Sequence, residues 1–528
     1  MRILFFADHA GAAQRYSTVL TELVGRGHEV HLAVSPKRTN LGRKSLEGLG
    51  VREYAPQRAR YDGWRSIGWV VRAVGDFARY AGPRYRHAPV LRDRMRKKVV
   101  GRLEKSAEFD PVTRRLALRR ARGLAATGDA ELAERTIALA ARLESAIPTS
   151  RRITRYTRKQ RPDVVLVSPV VRAGSDQVEF LKSARRLGIP AATLIPTWDS
   201  LTNKGLLKVV PERVFVWNEL QRREAIELHG APAERVVATG AHLFDHWFDR
   251  NPTSSRADFM RELGLEPSSP YVLFLGSSPF VSRRPHKEVR FLLRWIEALR
   301  ASTDEALQEL AIVIRPHPMA TWSPEEFDDW PDVVVWPSRP GRTVSAERQT
   351  VFFDTVFHSA AVVGINTTAM IEAAIIGKSV LTILEPSFAQ ESTLHFHDLL
   401  EENGGFLHVA PSLSEHACQL GAVLRQDALD VEHRERFVDH FVRPPEKGRS
   451  ATHTLADEIE RLVGLPVQSA RPALPLRVML SLGWPLSSAA LVVQPLRSRL
   501  RLRRRRVRDE ERARLERSGL GSSVPLEL

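Results

Sequence analysis

Short apolar runs, each followed by a turn of small or polar residues and then by a helical period, recur along most of the chain. ILFF at 3–6, HEVHLAV at 28–34, DVVLVS at 163–168, AATLI at 191–195 and RVFVW at 213–217 form one series. YVLFLG at 271–276, LAIVIR at 310–315, DVVVW at 332–336, AAVVG at 360–364 and SVLTIL at 379–384 form a second. Strands that are apolar throughout, rather than at alternate positions, are those covered on both faces, as in parallel sheets with crossover helices on either side. The two series therefore predict an α/β protein with two parallel sheets. At 528 residues the chain also exceeds what one hydrophobic core supports, which is about 250–300 residues.

The breaks between series set the domains: an N-terminal Rossmann-like domain over 1–250 and a C-terminal one over 251–465, with the linker near 249–256 at Asn251-Pro252. About 58–161 holds no strand candidate and reads as an Arg-rich helical insertion, with an apolar-basic stretch from Trp64 to Tyr80. Pro466, Pro472 and Pro475 mark the start of a tail, 466–528.

Charge is unevenly spread. The chain carries a net +17, of which the tail, with 13 Arg against 5 Asp or Glu, supplies +8. Arg92, Arg94, Arg96, Lys97 and Lys98 make a second concentration inside the insertion. Such an excess implies an anionic partner. The absence of zinc-finger spacing and of an aromatic RNA-binding signature argues against nucleic acid. In the tail, 19 uncharged residues from Val478 to Leu496 precede eight arginines at 497–508, which predicts an interfacial or re-entrant anchor at an anionic membrane surface. A single cysteine, Cys418, fits a reducing compartment. The four-residue apolar run before Asp8 is too short for a signal peptide, so the expected location is cytoplasmic, peripheral to the inner face of the cell membrane.

Chemistry in open α/β sheets gathers at the carboxyl ends of the strands. Five such places stand out. GINTTAMIEAAIIGKSVLTI at 364–383 reads as strand, small polar turn, helix and next strand. It offers Asn366, Thr367, Thr368 and the helix N-terminus to a phosphate, and Glu372 to a ribose. Arg315-Pro316-His317-Pro318 ends a strand with a guanidinium and an imidazole suited to phosphate. Gly276-Ser277-Ser278 follows another strand, with Ser277 and Ser278 as candidate diphosphate contacts. In the N-domain, Asp8-His9 and the loop Thr197-Trp198-Asp199-Ser200-Leu201-Thr202-Asn203-Lys204-Gly205 occupy equivalent positions. The polar run Gln390–His397 adds a possible donor-pocket wall. Its His395 and His397 have no third ligand nearby, so no metal is expected.

The 364–383 segment resembles the nucleotide-binding stretch of GT-B glycosyltransferases, and GHEV at 27–30 and VVATGAHLFD at 236–245 are similar to segments of the same superfamily. With RPHP and the Trp198 loop, the pattern also resembles CDP-glycerol glycerophosphotransferases and surface or capsular polysaccharide proteins. Asp199 stands where that family has a histidine, and Asn366-Thr367-Thr368 replaces its acidic-polar run. The resemblance implies a glycosyltransferase with a nucleotide-activated sugar as donor substrate, no separate cofactor, and a lipid-linked or polysaccharide acceptor. It assigns Ser277, Ser278, Arg315, Asn366, Thr367, Thr368 and Glu372 to the donor, His317 to the departing phosphates, and Asp199, or alternatively His9, to the acceptor's proton. The alternatives are a CDP-polyol phosphotransferase, a non-hydrolysing UDP-sugar 2-epimerase and a non-catalytic nucleotide-binding protein.

Overall fold

The computed structural model describes residues 1–34, 50–54, 59–106, 108–278, 281, 285–338, 346–388, 390, 394–425, 431–446, 448–468 and 478. The expected anchor at 478–496 and the arginines at 497–508 thus lie outside the described residues, apart from Val478. No helix among the described residues is long and apolar enough to cross a membrane.

The first sheet consists of β1 (Arg2–Ala7), β2 (Glu29–Val34), β3 (Arg52–Tyr54), β4 (Val164–Ser168), β5 (Ala191–Leu194), β6 (Arg213–Val216) and β7 (Val236–Ala238). Its order is β3-β2-β1-β4-β5-β6-β7, and every pair is parallel. The second consists of β8 (Tyr271–Leu275), β9 (Ala311–Arg315), β10 (Val333–Val335), β11 (Ala361–Gly364), β12 (Val380–Ile383) and β13 (Leu407–Ala410). Its order, β10-β9-β8-β11-β12-β13, is again all parallel. Both are doubly wound sheets with a switch point where the order reverses, between β1 and β4 and between β8 and β11. Together they make an arrangement of two Rossmann-like domains.

The unbroken apolar runs follow from burial on both faces. In β1, Ile3 and Phe5 pack into one core layer while Leu4 and Phe6 pack into the layer on the opposite face. In β8, Leu273 and Leu275 likewise part company with Val272 and Phe274. The domain limits differ from expectation in one respect. The helix Ala451–Glu460 lies within the stretch 251–465 expected for the second domain, but Leu455, Ala456 and Ile459 complete the core of the first, beside Phe5, Tyr16 and Leu20. Its outer edge is clamped by Arg26, whose guanidinium donates to Asp457 at 2.6 Å and Glu460 at 3.1 Å. The chain therefore crosses twice between domains.

The insertion is helical, as expected, running from Trp64–Ala81 through Pro89–Lys105, Pro111–Thr127 and Ala130–Ala146 to Arg151–Gln160. The apolar-basic stretch at its start is the insertion's central helix, buried nearly all round. Its charges are paired inside the protein. Arg72 donates to Glu144 at 2.7 Å and to Glu179 at 2.7 Å, Arg60 reaches Glu179 at 3.2 Å, and Lys182 meets Glu144 at 3.0 Å. Asp76, fully buried, accepts from the backbone of Gly174 and Leu206 and pairs with Lys208. Gly205 is required here, because a Cβ would lie 2.7 Å from the Asp76 carboxylate. These bonds hold the loops after β4 and β5 against the insertion.

Candidate functional site

Both switch points open into one cleft of about 510 Å³. From the first domain it is lined by Asp8 and His9 after β1, Pro169, Val171, Arg172 and Ala173 after β4, and Thr197, Trp198, Asp199, Asn203 and Lys204 after β5. From the second it is lined by Ser278 after β8, His317 after β9, Asn366, Thr367 and Thr368 after β11, and His395. The insertion closes one wall with Tyr80, Leu91, Arg94, Met95 and Lys98.

Trp198 joins the two halves. Its indole N–H donates to the Thr368 hydroxyl at 3.2 Å and its ring meets His395 edge-on, with centroids 4.3 Å apart. Asn203 donates to His395 Nδ1 at 3.1 Å across the same boundary. A shared apolar core containing Trp198, Trp217, Phe244 and Trp247 together with Leu273, Phe353 and Met370 fixes the domains behind the cleft.

Three histidines that line the cleft each accept a hydrogen bond at Nδ1. His9 Nδ1 accepts from Ala12 N at 3.1 Å, His317 Nδ1 accepts from Met319 N at 3.1 Å, and His395 Nδ1 accepts from Asn203. An imidazole that accepts at Nδ1 carries its neutral-state proton on Nε2, so each ring is a hydrogen-bond donor at its other nitrogen. Burial pushes the His317 pKa down and that of His395 down to about 4, which keeps both neutral. His317 is thus suited to its expected part as a donor to phosphate oxygens. In His9 the Ala12 N–H occupies Nδ1, which leaves Nε2 as the ring nitrogen for other contacts.

Asp199 also differs from expectation. Thr197 donates to one carboxylate oxygen at 2.6 Å and Lys204 to the other at 2.9 Å. Burial alone would raise its pKa, but the Lys204 ammonium, the His395 ring and the Thr197 hydroxyl outweigh burial and hold it well below the ordinary carboxylate range. A carboxylate so held is a poor base. Its structural effect is to pin Lys204 and the start of the helix Ser200–Asn203 at the cleft.

The donor-side residues divide into two groups. Ser278, Asn366, Thr367 and Thr368 line the cleft. Thr367 caps the helix Thr368–Ile375 with extended backbone but no side-chain bond, and no acid sits in the first turn. Ser277 does not line it: the residue is buried and its backbone N–H donates to Glu288 at 2.6 Å. Arg315 and Glu372 lie beyond the cleft lining. Glu372, one turn after Thr368 on the same helix face, accepts from Trp247 Nε1 at 3.3 Å, and burial pushes its pKa up to about 7. Arg315 stacks over Phe352 at 5.1 Å; burial pushes it down to about 10, and its buried Nη1 has no hydrogen-bond partner among the described residues. A buried guanidinium N–H without an acceptor, beside a carboxyl group left near neutrality, is a pair of polar groups whose bonding is incomplete within the protein. Gly276 makes the turn possible, since a Cβ there would lie 2.7 Å from the His317 backbone nitrogen.

In the polar run at 390–397, Gln390 is structural, its amide donating to Ile365 and Ile383 carbonyls at 2.9 Å, while residues 391–393 lie outside the described residues. His395 is buried and His397 exposed. Pattern reading passed over Arg15, Arg172 and Trp247, and it read Arg94 and Lys98 as part of a basic concentration rather than as cleft residues. Arg172, paired with Asp8, follows β4 and was open to discovery by the strand-end rule. Arg94 and Lys98 sit on an insertion helix to which no such rule applies.

No family model matches the sequence, and no curated protein does. Among solved structures the chain is similar to a glycosyltransferase from Rickettsia africae, with a TM-score of 0.48 and 9% identity over 88% of this chain and 99% of that one. It is similar to the UDP-GlcNAc 2-epimerase from Neisseria meningitidis bound to UDP-GlcNAc, with a TM-score of 0.45 and 11% identity over 87% of this chain and 100% of that one. A third is Acinetobacter baumannii MurG, with a TM-score of 0.41 and 13% identity over 87% and 99%. The likeness is one of chain path. It assigns no activity.

Proposed function

We propose that the protein is a nucleotide-sugar-dependent glycosyltransferase, with the donor on the second domain and the acceptor on the first. The observation that carries this reading is the convergence of both switch points on one cleft, with uncharged hydrogen-bonding groups on one wall and carboxylates and cations on the other. Ser278, Thr367, the first-turn N–H groups and the His317 Nε2–H meet the charge that develops on a departing diphosphate; preorganised donors stabilise such charge without solvent reorganisation. Glu372 holds the ribose hydroxyls, and Arg315 completes its bonding against the nucleotide. Asp8, at the carboxyl end of β1, is taken as the acceptor's base in place of Asp199: among the described residues it pairs with Arg172, whereas Asp199 is held by both Lys204 and the Thr197 hydroxyl. Asp199 keeps Lys204 and Thr197 in place.

We further propose that the enzyme works at an anionic membrane surface. Gly82 to Thr127 holds 14 Lys or Arg against 4 Asp or Glu, a net +10, so this stretch and the tail hold essentially all of the chain's excess charge.

Incubation with a panel of radiolabelled nucleotide sugars and a total lipid and polysaccharide extract tests the reaction class. Label moving into the extract supports the transferase. A labelled 2-epimer formed without extract would make the protein an epimerase, and binding without product a nucleotide-binding protein.

A further inference from the structure

The helix Thr368–Ile375 carries two polar side chains, Thr368 and Glu372, and each is met by an indole from the chain before β8. Trp247 donates to Glu372 at 3.3 Å and Trp198 to the Thr368 hydroxyl at 3.2 Å. A buried indole N–H needs an acceptor, but not one of this kind. Trp217, in the same interdomain core, gives its own N–H to the Ile195 carbonyl at 3.1 Å.

Trp198 is fixed from both sides. The Gln221 amide donates to the Thr197 and Trp198 carbonyls at 3.0 and 3.2 Å, which ties the backbone to the first domain. The side chain is buried, with its ring edge-on to His395 of the second. An indole N–H can only donate, so the Thr368 oxygen is the acceptor and its hydroxyl hydrogen is turned away from the indole. No described residue accepts that hydrogen. Thr368 itself is exposed in the cleft, at the first turn of the helix.

On the reading that a diphosphate sits at this turn, we infer that Trp198 is a positioning residue for the donor: from the first domain it presets the Thr368 hydroxyl as a hydrogen-bond donor to the diphosphate. A hydroxyl oriented beforehand needs no reorganisation as charge develops on the departing group. The donor site is then complete only when the first domain's loop is seated, and that loop also carries Asp199 and Lys204. Donor binding and the seating of this loop therefore favour each other reciprocally.

Calorimetric titration of a nucleoside diphosphate into the full-length protein tests this, with UDP as the probe, or CDP, GDP, dTDP or ADP where the wild type binds that one more tightly. Trp198→Phe keeps a ring against His395 and removes the N–H. It is expected to weaken binding about threefold to tenfold, the net worth of one hydrogen bond. Thr368→Val is expected to weaken it at least as much, and the double variant no more than Thr368→Val alone, because the indole acts through the hydroxyl. Thr368→Ser, which keeps the hydroxyl, is expected to bind as the wild type does. Trp217→Phe removes a buried indole N–H from the same core, and it is expected to lower the melting temperature without changing affinity. Wild-type affinity in Trp198→Phe, losses that add in the double variant, or an equal loss in Trp217→Phe would each overturn the inference while leaving the donor reading in place. A wild type that binds none of the five diphosphates would overturn the donor reading, and the positioning role with it.

Discussion

Asp8→Asn is expected to lower turnover by about 10²–10⁴-fold while leaving nucleotide affinity unchanged, the signature of losing a proton acceptor that acts only in the transition state. The contrast is with Asp199→Asn. Its carboxylate already holds Lys204 at 2.9 Å and the Thr197 hydroxyl at 2.6 Å, so the substitution releases a cation and a loop rather than a base. That variant should raise KM for the acceptor more than it lowers kcat. Steady-state kinetics on the two variants, with donor and acceptor varied in turn, separates the roles. Near-normal turnover in Asp8→Asn with a collapse of kcat in Asp199→Asn would return the base to the Trp198 loop.

The largest effect on stability is expected from Arg72→Leu, a loss of about 3–5 kcal/mol. Glu144 and Glu179 are almost wholly buried and share this guanidinium, so its removal leaves two carboxylates facing each other with Lys182 and Arg60 as their remaining partners. The same network fixes a pH dependence. Burial alone would raise the Glu179 pKa, but Arg72, Arg60 and Lys182 outweigh it and hold the group at about 2, and Glu144 is also lowered. A carboxyl group bound more weakly by protons when folded contributes stability above its unfolded pKa and loses it as pH falls toward the folded value. The insertion should therefore loosen between about pH 4.5 and 2 in the wild type. In Arg72→Leu this acid loss shifts to higher pH. Thermal melts and limited proteolysis between pH 3 and 7 would show it, and unchanged melting in the variant would remove the network from the stability account.

The ten apolar runs were legible because parallel strands covered on both faces leave few polar positions to blur the pattern. Arg52–Tyr54, Val236–Ala238 and Leu407–Ala410 were not, and all three are sheet edges, where a strand is short and one side is unpaired. Placing Asp8, His9, Asp199, Ser278, His317 and 366–368 in one cleft followed from the strand-end rule alone. Their protonation states did not, because these depend on partners fixed by turns, such as Ala12 N on His9 and Met319 N on His317. Ser277 and Ser278 are adjacent in sequence, yet only one reaches the cleft, because Glu288 from the following helix claims the other's backbone. The basic concentration of Arg94 and Lys98 was legible as a charge excess, but its place at the cleft was not, because it depends on how the insertion folds against the first domain.

The central claim is that a nucleoside diphosphate occupies the second domain from the 366–368 turn to Glu372. Calorimetric titration of UDP, CDP, GDP, dTDP and ADP into the wild type and into Glu372→Ala tests it most directly. The account predicts one-to-one binding of at least one of them, weakened in the variant by about 1.5–3 kcal/mol as the hydrogen bonds to the ribose are lost. No binding of any diphosphate, or equal affinity in Glu372→Ala, would contradict it.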